Sequence, residues 1–231
     1  MANRGGKPRG KVKRVWSANF AYAVGLLVTD GCLSKDGRHI DLTSKDTEQL
    51  QNFLKALNVN VKIGFKQSSL GIKYQRVQFS DVLFYKFLQQ IGLSKAKSKT
   101  IGEIKVPYKY FFDFLRGCFD GDGTFYSYFD PRWRSSFMFY TVFASASRKH
   151  IEWLRHEIRK RLGIKGHISG TIKEGLFQLK YAKKESLRLL SKIYYNDKNI
   201  FLTRKRVKVH EALKADKENY AQVEKLVNSL P

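Results

Sequence analysis

AVGLLVTDG at residues 23–31 and LRGCFDGDG at residues 115–123 are two versions of one stretch. Superposing them pairs Gly25 with Gly117, Asp30 with Asp122 and Gly31 with Gly123. In the first copy Ala21, Gly25 and Thr29 recur every four residues, and in the second Gly117 and Gly121 do. On a helix that spacing gathers small side chains on one face. Ser17 stands where an N-cap for the first helix belongs. A mid-helix glycine costs roughly 1 kcal/mol against alanine, so its use in both copies calls for a packing reason, and close contact between the two helices supplies one. Each helix stops at Asp-Gly, glycine being suited to the left-handed turn that ends a helix. The aspartates therefore stand at carboxyl ends, where the helix dipole disfavours negative charge. Packed side by side, the helices bring Asp30 and Asp122 together, and two carboxylates so placed repel unless cations lie between them. Hard oxygen ligands select Mg²⁺ or a similar ion, and two-metal geometry suits phosphodiester hydrolysis. A lone Asp-Gly is an ordinary helix-to-strand turn; duplication within a shared order of segments argues against that plainer reading.

The same order runs outward from each copy. An alternating apolar stretch leads to a serine and a basic residue, Ser44 and Lys45 in one half and Ser147 and Arg148 in the other. These open amphipathic helices, with Leu50, Phe53, Leu54 and Leu57 on the apolar face of the first and Ile151, Leu154 and Ile158 on that of the second. Two strand-like runs come next, near 59–65 and 73–79 in the first half and near 166–172 and 176–181 in the second. A helix over 81–91 or 184–194 closes each half, and a last helical segment carries Tyr220, Val223, Leu226, Val227 and Leu230. The second half has the longer first hairpin, its surplus around 130–136, where Pro131, Arg132, Trp133 and Arg134 predict an extended basic loop. The predicted fold class is α+β, two tandem pseudo-symmetric αββαββα units, each with a four-stranded antiparallel sheet. Residues 1–16, with Arg4, Lys7, Arg9, Lys11, Lys13 and Arg14 among glycines, read as a basic flexible arm. Residues 17–108 read as the N-terminal half and 109–231 as the C-terminal half with its closing helix. The arm either follows a phosphate backbone or stays a solvated terminus.

Composition narrows the partner. Of 231 residues 42% are hydrophobic, enough for one large core or two small ones. Lys and Arg number 44 against 20 Asp and Glu, a net charge of +24 that a polyanion would neutralise. Nucleic acid is the leading partner, although a ribosomal-type protein or a well-solvated surface shares that signature, so the motifs decide. Cys32 and Cys118 read as reduced, small core residues, which points to an intracellular setting: cytoplasm or nucleoid, or an organelle matrix if organelle-encoded. No apolar run approaches the roughly 20 residues of a membrane span and the first residues lack a signal-peptide centre, so no membrane partner is expected. The five His and two Cys show no zinc-ligand spacing, and no phosphate-binding Gly-rich loop is present.

AVGLLVTDG and LRGCFDGDG resemble the paired signature motifs of monomeric LAGLIDADG homing endonucleases, and the tandem αββαββα order is that family's, so the resemblance covers almost the whole chain. The first copy departs at its sixth position, with Val28 where an acid is usual, while the second keeps Asp120. The resemblance implies an intron-encoded DNA endonuclease whose Asp30 and Asp122 bind the metal, Mg²⁺ or Mn²⁺, with Ca²⁺ supporting binding without cleavage. No ligand role is assigned to the backbone at position 29. It further implies a catalytic basic residue in each half, met by Lys97 in SKAKSKT and Lys205 in FLTRKR. Lys95, Lys99, Arg204 and Arg206 are close neighbours, and phosphate contact or a solvated surface is the plainer role for any of them. Ser44 and Ser147 fall where the family orders active-site water, although a serine opening a helix is more often its N-cap, the role favoured for both.

A twisted sheet with one polar, basic face can lie in the major groove as a DNA-binding saddle while its other face packs on helices. Candidate contacts are Ser34, Lys35, Arg38, Lys62, Lys66, Lys73, Gln75, Arg76 and Gln78 in the first half. In the second they are Tyr126, Tyr128, Arg132, Arg134, Lys165, His167, Lys173 and Gln178, each equally readable as phosphate-facing or solvated. Because the halves differ, the expected target is long, double-stranded and not palindromic, bound by a monomer, with a staggered break across the minor groove implied by the resemblance. The rival readings are an intron RNA maturase and a DNA-binding regulator that has lost the reaction. An intein-borne form is disfavoured, since the chain leaves no room for splicing segments.

Overall fold

The computed structural model describes residues 10–67, 71–171, 173 and 175–228. The first half runs α1 (Ala18–Thr29), β1 (Gly31–Leu33), β2 (His39–Ser44), α2 (Thr47–Leu57), β3 (Gly64–Gln67), β4 (Lys73–Ser80) and α3 (Val82–Gln90). A connecting segment with short 3₁₀ turns at Lys97–Lys99 and Tyr108–Tyr110 leads to the second half. There α4 (Phe111–Asp120), β5 (Thr124–Asp130), β6 (Trp133–Ser145), α5 (Arg148–Leu162), β7 (His167–Ser169), β8 (Phe177–Ala182) and α6 (Lys183–Ile193) repeat the order, and α7 (Thr203–Asn228) follows. Each half has one antiparallel four-stranded sheet, β1-β2-β4-β3 and β5-β6-β8-β7. The predicted α+β tandem is the observed fold.

Helix α1 starts on Ser17, whose Oγ accepts from the Phe20 amide at 3.1 Å. Every residue from Phe20 to Val28 is buried, as expected of a helix that is apolar all round. Its partner is α4, and the repeated glycines are where the backbones meet. A Cβ on Gly25 would overlap the Phe114 carbonyl oxygen and lie 2.9 Å from the Gly117 Cα; one on Gly117 would overlap the Tyr22 carbonyl oxygen. Beyond this seam each sheet turns its apolar face to the helices of its own half. Ile40, Leu42, Val77 and Phe79 face inward from the first sheet, and Phe125, Phe139, Leu179 and Tyr181 from the second.

Several expectations need correction. The arm is anchored from residue 10 onward: the Lys11 and Val12 amides donate to Asp81 Oδ2 at 2.6 and 2.9 Å, Val12 is buried, and Trp16 packs edge-on against Phe20. Residues 1–9 lie outside the described residues. The run near 59–65 pairs only from Gly64, and the run near 166–172 only over His167–Ser169. Left-handed glycines bracket the latter strand, Gly166 at φ +57° and Gly170 at φ +110°; Ile172 lies outside the described residues. The basic loop around 130–136 is instead a tight hairpin tip, in which Asp130 Oδ1 accepts from the Arg132 amide at 2.9 Å. Cys118 is a core residue as read, but Cys32 is exposed. The final helix begins at Thr203, well before Tyr220. Leu230 lies outside the described residues, as do the side chains of Val223, Leu226 and Val227. Among the described residues no helix is long and apolar enough to cross a membrane.

Candidate active site

The α1–α4 seam ends where both signature stretches end. A Cβ on Gly121 would overlap Thr29 Oγ1 and lie 2.8 Å from Asp30 Oδ2, so the first acid rests against the turn that presents the second. Asp30 is half-buried and Asp122 reaches solvent. Burial, and then the negative charge of Asp122, push the Asp30 carboxyl above its ordinary range; partial burial raises Asp122 as well. Lys97 and Lys205 act on both acids in the opposite sense.

Those two lysines occupy equivalent places. Lys97, almost wholly buried, donates from Nζ to the Val28 and Thr29 carbonyls at 2.6 and 2.9 Å. Lys205 donates to the Phe119, Gly121 and Gly123 carbonyls at 2.6, 2.8 and 2.6 Å. Each ammonium thus satisfies orphan carbonyls at a helix end and neutralises the negative pole on which an aspartate sits. Desolvation lowers both, Lys205 to about 8. Their neighbours are engaged elsewhere or exposed. Lys95 donates to the Lys35 carbonyl, Arg204 pairs with Asp46, Arg206 pairs with Asp197, and Lys99 is exposed.

Around Asp30 the sequence reading missed a residue. Gln49, on α2, donates from Nε2 to Asp30 Oδ2 at 2.6 Å, and Ser44 Oγ donates to Gln49 Oε1 at 2.7 Å. Ser44 is therefore not the N-cap; Asp46 is, accepting from the Glu48 amide at 3.1 Å. Ser147 does occupy the cap position of α5, but its Oγ donates to the Ile101 carbonyl and does not cap. His150, also unread, is buried, with Nδ1 on the Gly102 carbonyl at 2.7 Å; burial lowers it to about 4. Asp120 is buried away from the other acids. Its Oδ2 accepts from Tyr22 Oη at 2.8 Å and the Leu202 amide at 2.7 Å, and burial raises it to about 6.

The sheets sort the proposed DNA contacts. Strand alternation puts Lys66, Arg76 and Gln78 on the outer face of the first sheet, and Tyr126, Tyr128, His167 and Gln178 on that of the second. Gln75 is a correction. It shares the inward face with Val77 and Phe79 and accepts from Thr47 Oγ1 on α2 at 2.7 Å. Lys73 shares its parity, though it is exposed. Ser34, Lys35 and Arg38 lie in the β1–β2 turn, Lys62 before β3, Lys165 before β7, Lys173 between β7 and β8, and Arg132 at the β5–β6 tip. The side chain of Arg134 lies outside the described residues. The outer face adds Tyr140, unread in the sequence, which stacks with Tyr126 and Tyr128 at centroid distances of 5.3 and 6.3 Å.

No protein-family model and no curated protein sequence matches the chain. Solved structures do. The LAGLIDADG homing endonuclease I-LtrWI bound to target DNA aligns with a TM-score of 0.54 at 13% identity, covering 93% of this chain and 98% of that one. Full-length WhiA from Thermatoga maritima aligns at 0.53 and 16%, covering 94% of this chain and 71% of that one. I-DmoI in complex with DNA and Mn aligns at 0.50 and 16%, covering 78% and 97%. At such identities the likeness is one of fold.

Proposed function

We propose that this chain is a site-specific endonuclease of the LAGLIDADG type, which uses divalent cations to make a staggered break in both strands of a long, non-palindromic duplex. The observation that carries the reading is the pairing of Asp30 with Asp122 where α1 and α4 converge, each helix end held by its own lysine. The donor set fits Mg²⁺ or Mn²⁺. The negative charge of Asp122 adds to the cost of ionising Asp30, and a cation between the two hard carboxylates relieves it. Among the described residues no group of three or more His, Cys, Asp or Glu is placed to hold a metal ion, so a cation here would take one or two carboxylates and fill its shell with water and phosphate oxygens.

Asp30 and Asp122 would hold the cations, which when bound neutralise phosphate charge and make water a better nucleophile. The remaining work falls to the chain. Lys97 and Lys205 keep positive charge beside the acids, Gln49 fixes the orientation of Asp30, and the outer sheet faces carry the duplex. Because one outer face presents Arg76 and Gln78 and the other stacked tyrosines, the two half-sites differ in sequence.

The likeness to WhiA favours a second reading, a DNA-binding regulator that keeps the fold without the reaction. Selection from a randomised duplex library separates the two, with Mg²⁺ to allow cutting and Ca²⁺ as the binding-only control. The endonuclease reading predicts recovery of one asymmetric cut sequence with Mg²⁺. Recovery of a bound sequence in both cations with no cut product would support the regulator. Preferential retention of intron RNA over duplex DNA in a filter-binding comparison would support a maturase.

A further inference from the structure

The local hydrogen bonds align the two halves more closely than their serines do. The Asp46 amide, at the cap of α2, donates to Ser44 Oγ at 3.0 Å; the Ser147 amide, at the cap position of α5, donates to Ser145 Oγ at 3.1 Å. Ser145 is therefore the counterpart of Ser44, and three residues past each cap position Gln49 corresponds to His150. In the first half the relay is direct, from Ser44 to Gln49 to Asp30. In the second half a recess of ≈ 20 Å³ lies among Asp122, Ser145 and His150, closed by Val28, Thr29 and Cys118. That is room for one water molecule, and the site offers the several polar partners a buried water needs.

The imidazole is fixed for such a role. A carbonyl only accepts, so the bond to Gly102 O places the proton on Nδ1 and leaves Nε2 as the ring atom able to accept. Packing on Trp153, at a centroid distance of 5.3 Å, holds the ring in place. The Gly102 carbonyl belongs to the segment that also carries Lys97, so one stretch of chain sets both residues. Of the charged groups on neighbouring elements, Lys97 acts on the ring electrostatically and Asp122 lines the same recess.

We propose that His150 and Ser145 hold a single water against Asp122, as a water-mediated counterpart of the Ser44–Gln49–Asp30 relay. The water donates to the carboxylate and to Nε2 and accepts from the Ser145 hydroxyl. His150 is then a positioning residue for the second acid, and its effect on strand cutting rests on the endonuclease reading.

Two measurements test this. A high-resolution crystal structure of the whole chain should show an ordered solvent peak within hydrogen-bonding distance of Asp122, Ser145 Oγ and His150 Nε2. The peak should be lost in His150→Leu, which keeps the bulk. A native recess without the peak, or a peak unchanged in His150→Leu, would overturn the proposal. On a cleavable duplex, strand-resolved kinetics with Mg²⁺ should show His150→Leu slowing one strand about 10–100-fold, so that nicked product accumulates. Binding in Ca²⁺ should be unchanged, and His150→Gln should restore most of the rate. Equal slowing of both strands without that rescue counts against it. If the native chain cuts no duplex, the endonuclease reading falls while the solvent peak still decides the water site.

Discussion

An aspartate at the carboxyl end of a helix is opposed by the carbonyl oxygens around it. In this chain two lysines answer that opposition, Lys97 on the end of α1 and Lys205 on the end of α4. The acids were legible because Asp-Gly recurs in a local pattern. The lysines were legible only through family resemblance, since nothing local ties Lys205 to Phe119 across the sequence. Gln49 and His150 were not legible, because the serines were superposed two positions out of register and both residues act from helices remote from the motif. Asp120 adds a prediction about stability. Its folded pKa is raised to about 6, so its contribution to folding is complete below the unfolded carboxylate range, near ~3.9, and is lost as pH rises through about 6. Asp120→Asn keeps an acceptor for Tyr22 and Leu202 and removes the buried charge. Urea denaturation should find it more stable than the native chain by about 1–3 kcal/mol at pH 8, with the difference gone near pH 4. A variant less stable at pH 8 would show that Asp120 is needed as an anion.

Among the elements, α1 and α4 depend on the absence of two side chains. Gly25→Ala and Gly117→Ala each force a methyl into backbone atoms of the opposite helix, and each should cost about 1–3 kcal/mol in chemical denaturation. Native-like stability in both would mean that the helices pack less closely than the glycines indicate. The start of α7 was hidden for a different reason: its cap comes from the other half. Glu48 on α2 accepts from the Thr203 amide at 3.1 Å and from the Thr203 hydroxyl, while Asn52 Nδ2 donates to the Phe201 carbonyl at 2.8 Å. The position before Thr203 is Leu202, so no capping side chain at the helix start marks the boundary in sequence. Since Lys205 lies just inside this helix, Glu48→Ala should cost about 1 kcal/mol and slow cleavage more than it weakens binding in Ca²⁺. A loss of affinity matching the loss of rate would place Glu48 in the DNA interface instead.

At the scale of the molecule, an internal repeat fixed the architecture, and the net charge of +24 pointed to a polyanion. The repeat disclosed the longer first hairpin of the second half but not how the sheet faces of the two halves differ. Strand parity, set by the ladders, turned Gln75 inward and brought Tyr140 beside Tyr126 and Tyr128, a trio assembled across β5 and β6. These differences are written on the outer faces, whereas the two acids lie where the halves are most alike. The most direct measurement is therefore double-strand cleavage of a selected target by Asp30→Asn and Asp122→Asn, with binding followed in Ca²⁺. The account predicts that each substitution alone lowers Mg²⁺-dependent cutting by about three orders of magnitude while the duplex is still bound. Undiminished metal-dependent cutting by both would contradict it.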